Sequence, residues 1–223
     1  MAGQQLKWFY AALGVIVVVG IAALAMARRD GGSGVVEVAP APVAAGTFAG
    51  HVLGSDSAPV TIVEYADFEC GACAQFAILT GPDVKQRLVA AGRVRWIFRD
   101  FPLDGHRNAL AAHLAAACAG EQGRFWDMHD QIFFNHRRWV SERRPERPLR
   151  DIARGLNLNL SQYDDCVDSR RLLGQIEAAK REGLERGVQA TPTFEVGTLR
   201  VSGALSYDSL QALVTGVEAR TAK

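Results

Sequence analysis

The chain has 223 residues, 48% of them hydrophobic, with 25 basic and 24 acidic side chains and a formal net charge of +1. That length fits one domain of ordinary size plus a tail or anchor. The near-neutral balance argues against a nucleic-acid binder, whose footprint is a broad basic excess.

Residues 8–27 (WFYAALGVIVVVGIAALAMA) carry no charge, and roughly 20 such residues suffice to cross a bilayer as a helix. No face of the segment is polar, so a soluble domain would have to enclose it completely. It is expected to be an uncleaved signal anchor, or a signal peptide cleaved after the A-x-A-like Ala25-Met26-Ala27. Its length exceeds the usual ~7–15-residue signal core and favours the anchor. Lys7 before it and Arg28 and Arg29 after it leave orientation undecided by charge. Residues 30–50, rich in Gly, Ala, Pro and Val, are expected to form a linker, and residues 51–223 the folded domain.

Residues 59–66 (PVTIVEYA) are a β-branched run that predicts a buried strand. An apolar pattern then continues through Phe76, Leu79, Val84 and Leu88 as a helix, with Gly81-Pro82 expected to kink it. Residues 93–99 alternate as a second strand, so strand, helix and strand suggest a βαβ unit with parallel strands. Residues 108–119 and 125–134 have helical spacing, and the mixed-charge stretch 137–151 is expected to be a solvated loop rather than an anion-binding patch. A further helix is predicted over 170–186, with Leu172, Leu173, Ile176, Ala179 and Leu184 on one face and Gly187 ending it. Residues 191–196 and 199–202 predict a hairpin, and Ser206 can cap a last helix built on Leu210, Leu213, Val214 and Val217.

Four cysteines are few for a disulfide scaffold, and an even count fits a compartment where disulfides persist. Two of them, Cys70 and Cys73, form a C-x-x-C, which can be half a zinc site, a structural disulfide or a redox pair. Structural zinc needs four ligands, usually with a second close pair. Here Cys118 and Cys166 lie far apart, and His51, His106, His113, His129 and His136 show no H-x3-5-H spacing, so no metal is expected. The redox reading has a physical account. Cys70 falls at the start of a helix after a strand, where unpaired amides and the helix dipole favour the reactive thiolate. Cys73, one turn further in, can close a disulfide with it. A C-x-x-C beside a βαβ pattern is a thioredoxin-like signal.

Residues 58–73 (APVTIVEYADFECGAC), 117–130 (ACAGEQGRFWDMHD), 187–194 (GVQATPTF) and 201–204 (VSGA) together resemble the DsbA-like branch of the thioredoxin superfamily. The resemblance implies an α/β thioredoxin-like fold with an inserted helical domain at about 103–168. It implies that Cys70 is the exposed attacking cysteine and Cys73 its buried partner. It implies also that Thr191-Pro192 is the cis-proline loop that helps hold an extended substrate segment; an ordinary trans strand-entry proline is the alternative. Glu64, on a strand that otherwise reads as buried, corresponds to an acidic residue that moves the proton of the buried cysteine. The alternative is an edge-facing, solvated Glu64. Some members carry a second cysteine pair. Cys118 and Cys166 are therefore expected to form a structural disulfide worth roughly 3–4 kcal/mol for a loop of about 48 residues, rather than two buried thiols. Gly71-Ala72 between the cysteines lacks a histidine, so a less extreme cysteine pKa and a less oxidising potential are expected.

The implied function is thiol–disulfide exchange on exported proteins in the bacterial cell envelope, with the Cys70–Cys73 disulfide as the only redox group and no other cofactor. The expected form is a monomeric disulfide-donating oxidase reoxidised by a membrane partner, since no dimerisation domain is evident before residue 50 to suggest a dimeric isomerase. A tethered reductase or isomerase is the alternative within this chemistry, and a non-catalytic binding or chaperone module the alternative outside it.

Overall fold

A computed structural model of the protein describes residues 34–40 and 50–221. The expected anchor or signal segment and most of the linker lie outside them. Among the described residues no helix is long and apolar enough to cross a membrane.

Six strands form one sheet: β1 (Val36–Glu37), β2 (His51–Leu53), β3 (Val60–Ala66), β4 (Val94–Asp100), β5 (Thr193–Val196) and β6 (Leu199–Ser202), in the order β1-β6-β5-β3-β4-β2. β3 and β4 run parallel, with Val60 opposite Val94 and Ala66 opposite Asp100, as the strand–helix–strand order predicts. The other pairings are antiparallel. β1 and β2 have no counterpart in the sequence reading, because two and three residues are too few to show a period.

Strand alternation sends successive side chains to opposite faces. Val60 and Ile62 join Phe76, Leu88, Trp96, Phe194, Leu210 and Val214 in one core. Val63 and Tyr65 join Ile97, Phe101 and Val188 in another. β3 is therefore covered on both faces, as expected for a strand reading as a continuous apolar run.

Helix α1 (Gly71–Leu79) follows β3, then α2 (Gly81–Val84) and a π turn over Lys85–Val89. The helix breaks at the Gly81-Pro82 step, where proline has no N–H to donate. After β4 comes a helical block: α3 (Ala109–Gly120), α4 (Phe125–Phe134), α5 (His136–Trp139), α6 (Glu146–Gly155) and α7 (Leu160–Ser169). α3 is buried on nearly every face. Its alanines let α4, α6, α7 and α8 (Leu173–Glu185) approach it together. The chain closes with α9 (Tyr207–Thr221), whose first turn is capped as expected, Ser209 N–H donating to Ser206 Oγ at 3.2 Å.

Two expectations need correction. The 137–151 stretch is largely helical rather than a loop: it contains part of α5 and α6, which bury Trp139, Leu149 and Ala153. Leu149 and Ala153, four residues apart, share a helix face and pack inward while the charged residues stay outside. The helix predicted over 170–186 begins at Leu173, after Arg170 in a left-handed conformation (φ 51°). Leu184 is 54% exposed instead of packed. The neighbouring Gly183 takes the buried place, because a Cβ there would stand 2.7 Å from the Phe101 ring.

Candidate active site

β3 ends at Ala66, and a turn over residues 67–69 leads into α1. The turn is held by its own polar groups: Cys70 N–H donates to the Asp67 carbonyl at 3.1 Å, and Glu69 N–H to Asp67 Oδ1 at 2.8 Å. Cys70 occupies the helix N-cap with extended backbone (φ −71°, ψ 122°), and its carbonyl accepts the Ala74 amide at 3.0 Å. Its sulfur lies where the first amides of a helix are unpaired. Cys70 is half-buried and Cys73 fully buried, both as free thiols.

The two sulfurs are held apart in acidity. A hydrogen bond from the Cys73 thiol, opposed by partial burial and aided by Thr191 and the Cys73 and Ala72 amides, lowers the Cys70 pKa to about 5. Burial, then the hydrogen bond to Cys70 and the charge of Cys70, push Cys73 well above the usual thiol range. Across from this pair the Thr191–Pro192 peptide bond is cis, and the Cys70 thiol donates to the Thr191 carbonyl at 3.4 Å.

Glu64 is 1% exposed, which excludes the solvated alternative. Its hydrogen-bond partner among the described residues is Trp96, whose Nε1–H donates to Oε2 at 3.0 Å. Burial raises its pKa to about 8, against smaller effects of Trp96 and Lys85, and its charge acts on Cys73. Glu195 shows the contrast. Also 1% exposed, it is bonded to Arg186 at 2.7 Å and to Arg200 Nε at 3.0 Å. A buried carboxylate with two guanidinium partners is a structural ion pair; one facing only an indole N–H stays protonated at neutral pH.

The sequence reading missed a buried network behind the turn. Asp67 Oδ2 accepts the Leu103 amide at 2.8 Å and lies 2.7 Å from His106 Nδ1. His113, fully buried on α3, stands 2.6 Å from Asp100 and 3.8 Å from Asp67. Burial disfavours its charged form, but the two carboxylates win and raise its pKa to about 9. A cation between two buried acids thus ties the active-site turn to the end of β4 and to the helical block. Its only signal in the sequence was the pair of acids, Asp67 and Asp100, each closing an apolar strand run.

Cys118 and Cys166 are bonded to each other, joining α3 to α7 as expected.

A βαβ core carrying C-x-x-C at a helix start, opposite a cis-proline loop, defines the thioredoxin-like class. Residues 47–215 match the family model described as Thioredoxin, and the chain belongs to that family. It is 26% identical over 173 residues to disulfide bond formation protein D of Bacillus subtilis, covering 73% of this chain and 74% of that protein. The oxidised crystal structure of BdbD from Bacillus subtilis superposes with a TM-score of 0.71 at 24% identity, covering 82% of this chain and 97% of that one. The chain is also 39% identical over 165 residues to Na(+)/H(+) antiporter NhaA 3 of Salinispora tropica, covering 74% of this chain but 24% of the antiporter. It thus spans about a quarter of the length of that relative.

Proposed function

We propose that this chain is a thiol–disulfide oxidoreductase that donates the Cys70–Cys73 disulfide to cysteine-bearing exported proteins. The observation that carries the reading is the divided acidity of the pair, with Cys70 at about 5 and Cys73 well above 9. The relatives named disulfide bond formation protein D support the same direction.

A substrate thiolate attacks Cys70 Sγ, the Cys70–Cys73 bond breaks, and its electron pair leaves on Cys73 Sγ. The Cys73 thiolate is the stronger base, so it takes the proton of Glu64, whose pKa of about 8 keeps that proton available at neutral pH. A second substrate thiolate then attacks the substrate sulfur of the mixed disulfide. Cys70 departs as the stabilised thiolate, a good leaving group because its pKa is low. The product is an oxidised substrate and a reduced pair, which a membrane redox partner reoxidises. Thr191 and Pro192 hold the substrate segment beside Cys70, and residues 8–27 anchor the chain, as a monomer, with its domain on the outer side of the membrane.

The reduction potential of the full chain, equilibrated in glutathione buffers, tests this. A value near roughly −120 to −180 mV is expected for a disulfide donor. A value near about −270 mV, as in thioredoxin, would assign the protein as a tethered reductase instead.

A further inference from the structure

Charge in this protein is nearly balanced overall, and about half of the described arginines have carboxylate partners, among them Arg93 with Glu218, Arg95 with Asp56, Arg99 with Glu182, Arg150 with Asp164 and Arg171 with Glu121. The segment 137–147 differs. It holds five arginines, at 137, 138, 143, 144 and 147, against two glutamates. All five are exposed, and none makes an ion pair among the described residues.

The first half of the segment is fixed to the active-site turn. The His136 ring lies with Nε2 2.9 Å from the carbonyl of Glu69, the residue before Cys70. Further along, Asn108 Nδ2 donates to the carbonyls of Val140 and Glu142, each at 2.9 Å, while Asn108 N–H donates to Glu69 Oε2 at 2.6 Å. One residue, Glu69, therefore holds the start of the basic segment through its carbonyl and the middle of it, at Val140 and Glu142, through Asn108. A surface groove of about 650 Å³ borders the segment, lined by Arg107, Asn108 and Arg143 and also by Glu146, Asp164 and Asp168. Trp139, in helix α5, is buried and its Nε1–H donates to the Ile132 carbonyl at 2.9 Å, which ties the segment to α4.

We infer that the 137–147 surface is a substrate-selecting rim, which binds acidic polypeptide segments flanking the cysteine presented to Cys70. This rests on the proposed exchange reaction and names the substrate class for it. Guanidinium groups without ion-pair partners, on a segment hydrogen-bonded to the active-site turn, raise the local concentration of negatively charged chains. Their planar donor forks match carboxylates. Because the rim touches no reacting atom, it changes which substrate is taken and leaves the chemistry of Cys70 as it is.

The test uses the oxidised full chain in detergent and two dithiol peptides, identical except that glutamates flank the cysteines in one and glutamines in the other. Oxidation of the glutamate peptide is expected to be about tenfold faster at low salt, with the advantage lost in 1 M salt. The triple variant Arg137→Glu, Arg143→Glu, Arg144→Glu should lose the preference and keep the rate with the glutamine peptide, which also shows that it is folded. Equal rates for the two peptides, or a preference that survives in the variant, would overturn the proposal. So would the absence of peptide preference together with variant-sensitive binding to phosphatidylglycerol vesicles, which would give the rim to an anionic membrane surface. Binding of serine-substituted peptides, followed by fluorescence anisotropy, separates the rim from the redox reading. Charge-selective binding without any oxidation would sink the exchange reaction and leave the rim standing.

Discussion

Glu64 and Cys73 carry the proton side of the proposed reaction, and their pKa values determine its pH dependence. Glu64 is protonated in the fold up to about pH 8, but ionises near 4.5 when exposed. The folded state therefore holds a proton that the unfolded state releases. The contribution is fully present below about pH 4.5 and is lost as pH rises through about 8. Glu64→Gln removes both the proton donor and the ionisation. Relative to wild type it should gain stability as pH rises across that window, by an amount on the order of a few kcal/mol in urea unfolding. Its disulfide exchange should lose the inflection near pH 8 and slow by at least about tenfold at pH 7, less than a general acid in direct contact would cost. An unchanged pH profile would remove Glu64 from the mechanism.

Two contacts between elements make sharper claims than the elements themselves. α8 lies against β3 and β4 at Gly183, where an added Cβ would come within 2.7 Å of Phe101 and 3.1 Å of Tyr65. Gly183→Ala gains helix propensity of about 1 kcal/mol, but both neighbours are large rings in a filled core. We expect net destabilisation of about 1–2 kcal/mol; a stabilised variant would show that the helix can shift. The Cys118–Cys166 bond joins α3 to α7 across 48 residues. Replacing both cysteines with alanine should cost roughly 3–4 kcal/mol in chemical unfolding while leaving the rate of exchange at Cys70 unchanged. A rate loss without a stability loss would place this bond in the reaction.

For the whole molecule, the acidity of Cys70 couples redox state to stability. Its pKa is depressed from about 9 to about 5, so between those values the unfolded dithiol holds a proton that the folded one lacks. That contribution is present above the unfolded pKa and lost as pH falls through about 5. The oxidised protein has no thiol there to titrate. The stability of the reduced form relative to the oxidised form should therefore increase from pH 5 to about 8.5, measured as the difference in urea midpoints. A difference independent of pH would mean that the fold does not hold a Cys70 thiolate, and the oxidising direction would lose its physical basis.

The sequence alone determined the parts that rest on local pattern. The β-branched run ending before Cys70, the helix after it, the parallel strand at 94–100 and the Ser206 cap are legible because period, turn chemistry and caps act within a few residues. The cysteine positions likewise predicted a helix-terminal thiol, and the family resemblance implied a buried partner. What only the tertiary structure decided depends on groups distant in the chain. Whether Glu64 is solvated or buried is settled by Trp96 and the covering cores, and whether Asp67 is more than a turn residue is settled by His113, His106 and Leu103. Leu184 faces solvent because Phe101, far away in sequence, leaves room only for a glycine beside it. The stretch 137–151 looked like a loop because its charges outnumber its apolar residues. Helix α6 forms there because Leu149 and Ala153 find a core to pack against, and a core is a property of the assembled fold.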